Sequence, residues 1–162
     1  MSVQTIIEKL DSLTKIHYQL IVLSEEKTKV VKKGNVEELQ AVLVKERKII
    51  QQLEQLEENR QKEVVEWFSN QGIALEDATV TNLLNQLNDE AEKKKLEDSV
   101  VRLTESVVNL KQQEQLNVAL IQQSMQFVQL SIDLMSPTLK NINYGKNNDQ
   151  PSLNRSVFDS KA

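Results

Sequence analysis

Helix-breaking residues and cysteine are scarce in this chain of 162 residues. It has no cysteine, three glycines and two prolines, and both prolines lie at or after position 137. The lack of cysteine excludes disulfides and thiolate catalysis and suits a reducing compartment. The long stretch without proline is rich in Glu, Gln, Lys and Leu, which favours long helices. Aromatic residues make up only 4% of the chain, so we expect elongated helical packing rather than a core built around large rings.

An excess of positive charge and a long apolar run are also missing. The formal net charge is −4, whereas a nucleic-acid-binding protein needs a basic patch to displace counterions from phosphates. No apolar run reaches the roughly 20 residues of a membrane span. The first residues, MSVQTIIEKLDSLTK, lack the basic start and apolar centre of a signal peptide. We therefore expect a soluble cytoplasmic protein that neither binds nucleic acid nor spans a membrane.

The residue patterns of catalytic and metal sites are missing as well. The one histidine, His17, has no acidic residue at the spacing of a helical metal motif. The three glycines are isolated, so no glycine-rich loop is available to hold a phosphate. No serine lies in the sequence context of an activated nucleophile. The sequence therefore predicts a protein that is not an enzyme and that has no cofactor or metal.

Two long helices joined by a tight turn are predicted for the first 70 residues. The first is expected from Ser2 to Lys33, since its apolar residues recur every three or four positions. Gly34 is suited to the left-handed conformation that ends a helix. Asn35 is suited to cap the second helix, which is expected to reach about Asn70. The apolar stripe of the first helix consists of Val3, Ile6 or Ile7, Leu10, Leu13, Ile16, Leu20, Leu23 and Val30.

A short helix, a third long helix and a tail are predicted for the remainder. The short helix is expected at 79–87 and the long one from about Asp89 to Ser136, because Pro137 disfavours helical backbone in the residue before it. The later residues are too polar to form a core of their own. We predict an all-α, elongated antiparallel bundle over residues 1–136 and a flexible tail over 137–162. The stripe assigned to the third helix is Leu96, Val100, Leu103, Val107, Leu110, Leu120 or Ile121, Val128 and Met135.

The end of the third helix has more apolar residues than one buried stripe requires. Between Lys111 and Lys140 only Glu114 and Asp133 are ionised. At helical spacing the apolar residues form two rows, of which we expect one to be buried and the other to be offered to a partner. The row expected to be buried is Met125, Val128, Ile132 and Met135, of which Met135 lies between the rows and is expected to serve both. The row expected to be offered is Phe127, Leu130 and Leu134.

Several stretches, taken in order, resemble the FlgN-type flagellar export chaperones. The first helix ends in LSEEKTKVVKKGNVEEL, the second contains KERKIIQQLEQLEENR, and the third contains LNVALIQQSMQFVQLSIDLM. Tyr144-Gly145 and the ending RSVFDSKA resemble the family's Tyr-Gly pair and its basic-then-apolar terminus. The sequence departs from the family pattern at Asn147 and Asn148, where relatives often have a second glycine. The resemblance covers nearly the whole chain.

The resemblance implies a chaperone that binds the C-terminal helices of hook–filament junction proteins. It implies that such a protein blocks their premature assembly and delivers them to the flagellar type III export gate, with its C-terminal third binding the client. An alternative is a homo-oligomeric coiled-coil scaffold or adaptor, since an apolar helix end can also pack on its own copy. Both the chaperone and the scaffold hypothesis allow the chain to form a homo-oligomer when no client is bound. The residues predicted to bind the partner are Leu120, Phe127, Leu130, Leu134, Met135, Tyr144, Val157 and Phe158.

Overall fold

The described part of the chain contains four α-helices, one short 3₁₀ helix and no β-strand. The structure, a computed structural model, describes the backbone of residues 2–144 and the side chains of residues 2–76 and 78–135. The predicted all-α bundle is confirmed. The elements are α1 (Val3–Lys33), α2 (Val36–Asn70), the 3₁₀ helix (Leu75–Asp77), α3 (Val80–Gln86) and α4 (Glu90–Tyr144).

The turn between α1 and α2 has the chemistry that its sequence predicts. Gly34 adopts the left-handed conformation with φ 70° and ψ 22°, which a residue without a Cβ atom adopts at no steric cost. Its N–H donates to the carbonyl oxygen of Val31 over 3.1 Å. The Asn35 side chain then accepts a hydrogen bond of 3.1 Å from the N–H of Glu38 and so caps α2. The short turn makes α1 and α2 antiparallel neighbours.

Ion pairs fix the register of α1 against α2. Lys9 pairs with Glu63 over 3.7 Å, and Lys27 pairs with Glu46 over 2.6 Å. Residue numbers therefore rise along α1 as they fall along α2, as antiparallel packing requires. Glu46 and Glu63 thus lie along the seam between α1 and α2.

Up to residue 121, helix α4 runs parallel to α1. Asp11 accepts a hydrogen bond of 2.9 Å from the hydroxyl of Ser99, and Ser24 accepts one of 2.9 Å from the amide of Asn117. These partners lie 88 and 93 positions apart in sequence, a nearly constant offset that only parallel helices give. The chain divides into two compact units, Met1–Ile121 and Gln122–Ala162, and all of these contacts lie within the first.

The apolar core of the first unit gathers where α1 begins, α2 ends and α4 begins. Phe68 is fully buried, and its ring meets that of Trp67 edge-on at a centroid distance of 5.1 Å. Helix α3 adds Leu83 to this cluster, and Leu87 follows directly after the helix. The buried members of the cluster are Val3, Ile6, Ile7, Leu10, Trp67, Phe68, Leu83, Leu87 and Leu96.

Towards the other end of α1 the interior of the first unit combines buried polar side chains with apolar ones such as Leu23, Val30 and Val42. The Lys27 side chain is only 6% exposed, and its ammonium lies 2.6 Å from Glu46 and 3.2 Å from Glu114. Burial by itself would lower the pKa of Lys27, but the hydrogen bonds with these two carboxylates outweigh it and hold the pKa above its ordinary value of 10.5. One cation thus connects α1, α2 and α4.

A layer of uncharged hydrogen bonds adjoins this cation. The Asn117 amide donates to the carbonyl oxygen of Ser24 and to its hydroxyl, each over 2.9 Å. The Thr28 hydroxyl lies 2.5 Å from the side-chain oxygen of Asn117 and accepts a hydrogen bond of 2.6 Å from the amide of Gln113. Because buried amides and hydroxyls are costly unless they are paired, this layer permits only one alignment of α1 with α4.

The buried face of α4 differs from the predicted stripe. Val107 is 42% exposed, whereas Ser99 and Ser106 are fully buried and Asn117 is 1% exposed. Small serine side chains let two helices approach closely, and Asn117 has its hydrogen-bond partners on α1. Apolar periodicity misses such positions because their burial depends on packing rather than on hydrophobicity.

The predicted end of the third helix at Pro137 is wrong, because α4 continues to Tyr144. A proline removes one backbone hydrogen bond from a helix, and the cooperative bonds on either side can carry the helix past it. The division of the chain into a bundle and a flexible tail remains a prediction, since residues 145–162 lie outside the described residues.

Replacing Phe68 by alanine should test the apolar core. We expect Phe68→Ala to lower the free energy of unfolding by about 3 kcal/mol or more, because it opens a cavity at a fully buried site. The matched control is Val44→Ala on the same helix, where the side chain is 58% exposed and the expected change is within about 0.5 kcal/mol. Denaturant unfolding followed by circular dichroism measures both. Equal effects would contradict the assigned core.

Replacing Lys27 by methionine should test the buried ion pairs of the first unit. We expect a loss of about 3 kcal/mol at neutral pH, because two carboxylates then lose their shared buried cation. The raised pKa of Lys27 stabilises the folded chain at pH values below 10.5, and this contribution disappears as pH rises through the folded pKa. The difference in stability between wild type and Lys27→Met should therefore shrink as pH increases above 10.5. A difference independent of pH up to 12 would refute this role.

Candidate partner-binding site

The second unit exposes a dense set of apolar side chains on α4. Residues 122–135 carry one ionised side chain, that of Asp133. Phe127 is 70% exposed and Leu134 is 71% exposed, which is unusual for side chains of this size. The exposed apolar residues of this segment are Met125, Phe127, Val128, Leu130, Ile132, Leu134 and Met135.

The expectation that one of the two rows is buried is wrong. Met125, Val128, Ile132 and Met135, which we call the first row, are 42–67% exposed. The described part of the second unit is a single helix, which offers no neighbouring element within that unit to cover this row. Phe127, Leu130 and Leu134, the second row, are 56–71% exposed. Both rows are therefore accessible.

The other predicted partner-binding residues lie elsewhere. Leu120 is half-buried and belongs to the first unit. Tyr144 is the last residue of α4, and its side chain lies outside the described residues. Val157 and Phe158 lie outside them altogether. Of the predicted set, the structure brings together Phe127, Leu130, Leu134 and Met135.

The two rows lie on opposite borders of one wide surface. At 3.6 residues per turn their centres are roughly 150° apart around the helix. Ser124 and Ser131, which we call the serine seam, fall on the shorter arc between them. The rows and the seam together cover about 220° of the circumference. The remaining arc is the polar strip, which consists of Gln122, Gln126, Gln129 and Asp133.

Side chains of the polar strip and of the seam form hydrogen bonds within α4 itself. The Gln129 amide donates to the carboxylate of Asp133 over 3.0 Å, and the Ser131 hydroxyl donates to the carbonyl oxygen of Phe127 over 2.9 Å. Hydrophobic periodicity does not detect the serine seam, because serine is not apolar. The seven-residue spacing of Ser124 and Ser131 is the sequence feature that places them on one face of the helix.

The apolar side chains of this surface are suited to binding by apolar contact. Among the described residues, no group of three or more His, Asp or Glu side chains is placed to hold a metal ion. The ring of His17 lies 2.8 Å from the carbonyl oxygen of Leu13, which agrees with an ordinary structural role. No helix within the described range is long and apolar enough to cross a bilayer.

Comparison with known proteins identifies the class to which this bundle belongs. Residues 1–152 match the family described as FlgN protein, and the chain belongs to this family of flagellar export chaperones. It is also 33% identical over 165 residues to the uncharacterized protein YvyG of Bacillus subtilis strain 168, with both chains covered in full. No solved structure matches the chain.

The exposure of the second row predicts that it is dispensable for folding. We expect Phe127→Asp combined with Leu130→Asp to keep the helical content and to change the free energy of unfolding by about 0.5 kcal/mol or less, because both side chains are more than half exposed. Circular dichroism and thermal melting provide the measurement. Collapse of the cooperative melt would place these residues in a core.

Proposed function

We propose that this chain is a cytoplasmic, non-enzymatic export chaperone for hook–filament junction proteins. In this role it binds their C-terminal helical segment, blocks premature assembly, and delivers them to the flagellar type III export gate. Membership of the FlgN family supports the general role. The observation that carries the specific proposal is the exposure of seven large apolar side chains on residues 122–135 of α4.

The chemistry of this surface fits an amphipathic helical client. Helix-in-groove recognition anchors apolar side chains that recur every three or four residues, and the spacing of Phe127, Leu130 and Leu134 complements such a pattern. Methionine side chains, here Met125 and Met135, adapt to irregular apolar surfaces. A client helix of the same kind must be kept from packing onto its assembly partners, so covering its apolar face would block premature assembly.

Charge plays a minor part in this recognition. Asp133 is the one ionised side chain of residues 122–135, and it lies on the polar strip rather than in either row. Apolar burial would therefore provide most of the affinity, at about 25 cal/mol per Å² of apolar surface removed from water. In the proposed complex Tyr144, Val157 and Phe158 close over the bound client, as the family resemblance of the tail suggests.

Client capture should depend on the second row. We expect wild-type chain to bind a purified junction protein one to one, and Phe127→Asp with Leu130→Asp to weaken binding at least tenfold, since two charges would have to enter an apolar interface. The matched control, Gln122→Asp with Gln126→Asp, adds the same charge on the polar strip and should bind as wild type does. Isothermal titration calorimetry gives the affinities and size-exclusion chromatography with light scattering gives the stoichiometry.

Self-association is the competing outcome of the same measurement. A homo-oligomeric scaffold would form a dimer through residues 120–135 that is insensitive to salt and indifferent to junction proteins. That result would overturn the chaperone proposal. A one-to-one complex that is lost on charging the second row would overturn the scaffold.

A further inference from the structure

The two methionines among the described residues both lie on the exposed surface of residues 122–135. Met125 is 67% exposed and Met135 is 59% exposed, and both belong to the first row. The apolar core of the first unit is built instead from valine, isoleucine, leucine, tryptophan and phenylalanine side chains. The thioether groups of the described chain are therefore concentrated where water and small solutes reach them.

Exposure makes these two sulfur atoms the groups that a peroxide reaches first. Sulfur-containing side chains are readily oxidised, and their susceptibility rises with exposure. The chain has no cysteine to compete for the oxidant. The ring of Trp67 is shielded, because this residue is only 6% exposed. Met1 is the remaining thioether of the sequence and lies outside the described residues. Peroxide should therefore modify the surface and leave the apolar core unchanged.

We propose that a peroxide oxidises Met125 and Met135 to sulfoxides, and that the sulfoxide of Met135 reversibly weakens client binding. The effect on the client rests on the proposed function, whereas the chemistry of the two sulfur atoms does not. The thioether sulfur attacks one oxygen of hydrogen peroxide, so an S–O bond forms as the O–O bond breaks. Sulfur loses two electrons, and the departing hydroxide takes the proton of the transferred oxygen and leaves as water. A dithiol acting through methionine sulfoxide reductases returns the thioether and yields a disulfide and water.

A sulfoxide changes the character of the surface at the position that it occupies. A thioether is apolar and adapts to irregular apolar surfaces, whereas a sulfoxide is polar. An apolar client face that covers the sulfoxide removes its water and offers no hydrogen bond in return, which is costly.

The two methionines differ in their distance from the second row. Around the helix Met135 lies roughly 65° nearer to the centre of that row than Met125 does. Met125 lies at the far border of the surface, next to Gln122 and Gln129 of the polar strip. A client anchored on the second row would therefore be affected by the sulfoxide of Met135 more than by that of Met125.

Hydrogen peroxide treatment of the purified full chain tests the inference. Peptide mapping by mass spectrometry should find one added oxygen on Met125 and one on Met135. Calorimetric titration with an intact junction protein from the same organism should then show binding weakened roughly tenfold or more. A dithiol with reductases for both sulfoxide epimers should restore the affinity. Thermal melting by circular dichroism should be unchanged by oxidation, because both side chains are more than half exposed.

Leucine variants provide matched controls, since leucine keeps an apolar side chain without the sulfur. Met135→Leu should bind the junction protein equally well before and after peroxide treatment. Met125→Leu should lose affinity after treatment as wild type does. Loss of affinity in treated Met135→Leu would place the sensitive group elsewhere and overturn the inference. Unmodified Met125 and Met135, unchanged affinity with Met135 oxidised, or a collapsed melt would overturn it as well.

A second readout separates this inference from the proposed function. If untreated wild type does not bind the junction protein, the proposed function fails, and the predicted effect on a client fails with it. The apolar dye anilinonaphthalene sulfonate, which binds exposed apolar surface, then reports on the site itself. Its fluorescence should fall when wild type is oxidised and should fall less for Met135→Leu. A dye signal that oxidation leaves unchanged would overturn the assignment of the modification site.

Discussion

The arrangement of the first unit depends on the ammonium group of Lys27. It is almost fully buried and lies within ion-pair distance of Glu46 on α2 and of Glu114 on α4. A buried ion pair adds little net stability over apolar packing, but a misaligned one leaves charges without partners. Its main effect is therefore on register, as polar residues have at the seams of coiled coils. Sliding α1 by one turn against either neighbour would separate the cation from a carboxylate.

The two units differ in the burial of their large apolar side chains. In the first, the large side chains near Trp67 and Phe68 are covered by α1, α3 and the start of α4. In the second, residues 122–135 keep theirs exposed. Soluble proteins rarely leave a patch of this size in water unless it serves binding. In the proposed role, this surface would receive a client helix with an apolar face.

Local chemistry made much of the fold predictable from the sequence. Gly34 and Asn35 indicate where α1 ends and where α2 begins, because the conformations of these two residues depend on their immediate neighbours. Both rows of α4 were also recognisable, because helical spacing decides which side chains share a face. The sequence could not show whether another element covers the first row, because such coverage depends on packing between distant parts of the chain. For the same reason the burial of Asn117, whose amide donates hydrogen bonds to Ser24, was not predicted. The continuation of α4 past Pro137 was not predicted either, because it depends on the helical hydrogen bonds on both sides of the proline.

The placement of apolar and polar side chains in the first unit gives its two ends unequal resistance to opening. Around Trp67, local unfolding would expose a cluster of large apolar groups to water. Around Lys27 and Thr28 the buried apolar side chains, such as Val30 and Val42, are smaller. Opening there would also exchange protein hydrogen bonds for bonds to water, at a smaller cost in free energy. Thermal fluctuations should therefore open the bundle preferentially from the Gly34 turn, with the hydrophobic end as the last part to separate. The first unit should therefore unfold progressively from the Gly34 turn towards Trp67.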